Sequence, residues 1–77
     1  MSYVRVEFEN INPKRLAKLI EDGHPHLKVV LVNPEENWLV IEGSISCENA
    51  QDIVWDYNAG CYANATVVDE EWVDEYF

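Results

Sequence analysis

Seventy-seven residues form one small domain, 1–77, with room for a thin two-layer core and none for a cofactor cleft walled on all sides. Hydrophobic residues make up 48% of the chain and fall in periodic runs, so the net charge of −10 belongs to a folded acidic protein rather than a disordered one. No apolar run approaches the roughly 18 residues that span a bilayer, and MSYVRVEFE lacks the regions of a signal peptide, so a cytoplasmic location is expected.

The charge is spread unevenly. The bases Arg5, Lys14, Arg15, Lys18 and Lys28 stand against Glu7, Glu9, Glu21 and Asp22, which gives 5 − 4 = +1 for the first 28 residues. From Val29 onward there are eleven acids and no base. Such a surface repels phosphate backbones and attracts basic proteins, including the basic grooves of nucleic-acid enzymes. A basic protein partner is therefore expected, with no direct nucleic-acid binding.

In chain order, Tyr3 to Glu9 alternates, with Val4, Val6 and Phe8 on one face, as in a half-buried strand. Asn12-Pro13 starts a helix over PKRLAKLIED, and Gly23 supplies its stop. His24-Pro25-His26 is a loop. Leu27 to Val32 and Trp38 to Ser46 read as strands joined in a hairpin around Asn33-Pro34. Ser46 to Gly60 reads as a second helix, and Tyr62 to Val68 as a weaker last strand that leads into DEEWVDEYF.

Strand, helix, strand, strand, helix, strand is the split βαβ pattern of an α+β, ferredoxin-like fold. It implies an antiparallel sheet in the order 4-1-3-2, with both helices on one face. The other face would show Tyr3, Val30, Val32, Trp38, Val40 and Tyr62, more apolar surface than a monomer leaves wet. Three covers are open: a homodimer through that face, the acidic aromatic segment 69–77 folded back, or a partner. As a helix, that segment puts Trp72, Val73, Tyr76 and Phe77 on one side and leaves Asp69, Glu70, Glu71, Asp74 and Glu75 to carry charge.

The second helix is the unusual element. Ala50, Ile53, Val54 and Tyr57 fall on its core side, Glu48, Asp52 and Asp56 on the other, and Trp55 opposite the core between Gln51 and Asp52. Carboxylates four residues apart rise about 6 Å per step along a helix, close to the spacing of phosphates along a strand. Charged rows also serve plain solubility and the helix dipole. The tryptophan among them favours an interface, because that side chain is enriched at binding hot spots. A partner surface is expected at Glu48, Asp52, Trp55 and Asp56, together with Asp69, Glu70, Glu71, Trp72, Asp74 and Glu75.

Catalytic and metal constellations are weak. His24, His26 and Cys47 fall at one end of the expected sheet, a conceivable three-ligand set weighed against loop histidines and a structural thiol. About eleven helical residues would hold Cys47 and Cys61 some 16 Å apart, beyond the roughly 7 Å that a disulfide allows. No GxSxG, phosphate loop or HExxH occurs. We expect no enzyme activity, no cofactor and no metal. In size, charge and aromatic content the whole chain is similar to small acidic inhibitors of phage or mobile-element origin, such as DNA-mimic and anti-CRISPR proteins. That resemblance implies a stoichiometric inhibitor of a host nucleic-acid enzyme. The alternative is a dimeric regulatory or assembly module.

Overall fold

Strand β1, Tyr3–Phe8, is the centre of the molecule, and its alternation is carried straight into the structure: Val4, Val6 and Phe8 are buried on one face. A computed structural model describes residues 3–58 and 62–76. In it, β1 is followed by helix α1 (Pro13–Gly23), strands β2 (Lys28–Asn33) and β3 (Trp38–Glu42), helix α2 (Cys47–Tyr57), strand β4 (Ala63–Val68) and a short helix α3 (Glu70–Asp74). The four strands make one antiparallel sheet in the order β2-β3-β1-β4, so the fold is α+β.

Local chemistry sets the helix limits. The Asn12 side chain accepts hydrogen bonds from the Lys14 and Arg15 amides, and Pro13 occupies the first turn, where it has no bond to lose. Ser46 caps α2 in the same way by accepting from the Asn49 amide. Gly23 is the last residue of α1, and a Cβ there would collide with the Tyr57 hydroxyl, so a larger residue would have to displace the end of that side chain. Strand β3 stops at Glu42 instead of running to Ser46. Gly43 takes φ +151°, where a Cβ would also press on Leu27 at 2.8 Å, and the chain turns there towards α2.

The main core lies between the sheet and the two longer helices. It joins Val4, Val6, Phe8, Leu39 and Ile41 from the sheet to Leu16, Ala17, Ile20, Ala50 and Val54 from α1 and α2. The second face is closed by the chain itself. Val73 of α3 is buried against Trp38 and Val40, with Tyr3, Val30, Leu31, Val68 and Trp72 packed around them.

That closure corrects the expected open face. Trp38 is 3% exposed and Val40 is fully buried, so neither offers a dimer surface, and Trp72 is spent on covering them. Val32 is on the wrong side altogether. The β2–β3 register shifts between Val29 and Leu31, leaving Val30 as an extra residue, and this bulge turns Leu31 to the second face and Val32 to the helix face. Among the described residues no helix is long and apolar enough to cross a membrane.

The link between α2 and β1 is polar. Asn58 is buried, its amide bonds the Val54 and Trp55 carbonyls that end α2, and its side-chain NH₂ donates to the Glu9 carbonyl. Replacing Asn58 by Ala removes the donor and leaves that carbonyl without it, so Asn58→Ala should cost about 1–3 kcal/mol in urea unfolding with the m-value unchanged. A loss below about 0.5 kcal/mol, the range of an ordinary surface change, would show that the bond is not structural.

Candidate partner-binding surface

The placement of α2 follows from four residues. Ala50 and Val54 are fully buried, while Ile53 and Tyr57 pack partly beside them. The helix therefore presents its opposite side to water, and Glu48, Asp52 and Asp56 are all exposed there. Trp55 is 52% exposed, as its position on the wheel requires. On the β4 side of the helix, the Gln51 side chain donates to the Ala63 carbonyl at 3.2 Å. Trp55 is one turn further along the same flank.

The two acidic stretches do not form one patch. Helix α2 sits on the helix face of the sheet and α3 on the other, so the expected surface is divided by the sheet. In α3 the charges have local roles as well. Asp69 caps the helix by accepting from the Trp72 amide at 2.8 Å, and Glu70 and Glu71 lie in its first turn, where the helix dipole favours anions. Glu70, Glu71, Asp74 and Glu75 are exposed. Trp72, expected to anchor a partner, instead packs on Trp38 at a ring-centroid distance of 5.5 Å and on Tyr76 at 4.7 Å.

Arg5 meets this aromatic group. Its guanidinium lies 5.8 Å from the ring centroids of both Trp38 and Trp72 and pairs with Glu7 at 2.8 Å. Sequence reasoning placed Arg5 on the correct face of β1 but found no role for it. The bond from the Trp38 indole N–H to the Glu36 carboxylate, 3.0 Å, was equally illegible, because it depends on the hairpin turn.

The remaining residues singled out from the sequence are dispersed. Tyr62 is 47% exposed and lies just before β4. His24 packs edge-on against both His26 and Tyr57, and Cys47 is a free, half-buried thiol. Among the described residues, no three His, Cys, Asp or Glu side chains gather as a metal site. Cys61, and with it the expected absence of a bridge to Cys47, lies outside the described residues, as does Phe77. Comparison with protein-family models, curated proteins and solved structures finds no match to this chain.

One titration belongs to the second face, at Tyr3. Burial, followed by the carboxylates of Glu42, Glu70 and Asp74 and a hydrogen bond to Glu42, raises the Tyr3 phenol above its usual value of 10.0. A raised acid stabilises the fold fully below the unfolded pKa, and that contribution is lost as pH rises through the folded value. Ultraviolet titration should therefore show a late tyrosine step above the usual phenol value, with stability falling above about pH 10. Tyr3→Phe should remove the late step; its persistence in that variant would assign it to another tyrosine.

Proposed function

We propose that this protein is a small acidic inhibitor that acts by binding, occupying a basic nucleic-acid-binding groove on a host enzyme. In this reading Glu48, Asp52 and Asp56 supply the charge and Trp55 the apolar anchor. The observation that carries it is the 52% exposure of Trp55 beside that acidic row, on a helix whose other side is firmly packed. A wet tryptophan adds nothing to the core, and at an interface it is among the side chains that contribute most. The chain from Val29 onward has no base to neutralise the row. Such a chain fits the DNA-mimic and anti-CRISPR class of anti-defence proteins, cytoplasmic and without chemistry of its own.

We further read the architecture as ferredoxin-like. Its support is the strand order, which from the β4 edge runs 4-1-3-2, and the placement of α1 and α2 on one face. The alternative, a dimeric regulatory module joined through the second sheet face, has lost its supporting surface, since α3 lies over Trp38 and Val40.

The test is capture of partners from host lysate by the native chain and by an Asp52→Lys, Trp55→Ala double variant, with partners identified by mass spectrometry. A nucleic-acid enzyme should be held by the first, released by salt and missed by the second. With the purified partner, Asp52→Lys should act mainly by slowing association. Trp55→Ala should weaken binding by about 2 kcal/mol, roughly thirty-fold. Binding indifferent to salt, to charge reversal and to loss of the indole would refute the proposal.

A further inference from the structure

The two edges of the sheet are treated differently. Along β2, the Val30 bulge interrupts the ladder, and the Glu21 carboxylate of α1 accepts the Val29 amide at 3.1 Å. Both are recognised ways of keeping an edge from pairing with another strand. Strand β4 has no bulge, and the Gln51 side chain of α2 reaches its edge only at the first residue, Ala63. The strand is six residues long, ANATVV, with no proline and no charge, and it pairs with β1 without a register shift from Ala63 to Val68. No strand lies on its outer side among the described residues.

The outward groups can be assigned. The Phe8 amide donates to the Asn37 carbonyl at the end of the hairpin beside it, so Phe8 turns its backbone groups towards β3. By the alternation of an antiparallel ladder, Tyr3, Arg5 and Glu7 turn theirs towards β4 and meet Val68, Thr66 and Asn64. Ala63, Ala65 and Val67 must then point theirs away from the sheet. The Ala63 carbonyl is taken by Gln51, which agrees with this assignment. Ala65 and Val67 each present an N–H and a C=O at the two-residue spacing that an added strand would use.

The surroundings define the occupant. Val67 is 66% exposed beside this edge. Acids of α2 stand on one side of the sheet and those of Asp69 and α3 on the other, with no base from Val29 onward. We propose that the β4 edge is a docking rail for an extended, basic segment of a partner protein, which adds as a fifth strand with an apolar side chain against Val67 and basic ones towards the flanking acids. A second copy of the chain is disfavoured, because two chains of net charge −10 repel. This deepens the reading of α2 as a partner surface and rests on the same acidic flank.

The test uses the full chain and a synthetic peptide of alternating lysine and valine, followed by amide-resolved NMR and hydrogen exchange. At saturating peptide the Ala65 and Val67 amides should gain at least about tenfold protection, as amides newly held in a ladder do. A peptide N-methylated at alternate residues should bind without protecting them. Val67→Pro, which removes an outward N–H at a position where an edge strand accepts proline, should also abolish the effect. Peptide shifts confined to α2 would overturn the rail and leave the inhibitor reading standing; absence of any binding would overturn both. Protection that rises with protein concentration and needs no peptide would overturn the basic occupant in favour of a second copy.

Discussion

The packing of Val73 and Trp72 onto Trp38 and Val40 decides how much of this molecule is left to interact with anything else. A four-stranded sheet has two faces, and α1 and α2 can cover only one. A helix of five residues has no stability of its own, so α3 exists because Val73 is buried and the Trp38, Trp72 and Tyr76 rings lie within about 5.5 Å of one another. Arg5 adds less. Its pair with Glu7 is partly exposed and contributes little, and its position by the indoles contributes on the order of 0.5–1 kcal/mol. Its larger effect is to place one positive charge beneath a tail that carries only negative ones.

Once the second face is closed, the exposed large apolar groups among the described residues are Trp55, Tyr62, Val67 and Tyr76. Tyr76 is accounted for by its contact with the α3 aromatic group. Trp55 stands on α2 and Val67 on the edge strand β4, with acids on both sides of the sheet. The interaction surface is thus what remains after the core has used what it needs.

Much of this was legible in the residues. The alternation of β1, the Asn12-Pro13 start of α1 and the core side of α2 each rest on a local rule, and Trp55 is wet because Ala50 and Val54 fix the helix rotation. The turn of Val32 was not legible. KVVLVN is apolar on both faces, so no polar residue marks its parity, and one inserted residue reverses every side chain after it. Nor could the sequence choose a cover for the second face, since an amphipathic segment reads the same whether it docks on its own chain or on another. The division of the acids between two faces followed from that choice. The open edge of β4 needed the strand order and the Gln51 bond, neither of which a single strand displays.

A binding role for α2 requires Trp55 to be both accessible and set in a negative field, and the three indole N–H signals of a nitrogen-resolved NMR spectrum can report this without any substitution. Cationic and anionic paramagnetic co-solutes of similar size should be added in turn. The Trp55 signal should broaden strongly with the cation and weakly with the anion, while Trp38, buried under α3, responds to neither. Equal broadening by both probes, or a Trp55 signal as protected as that of Trp38, would contradict the assignment of this helix as the binding surface.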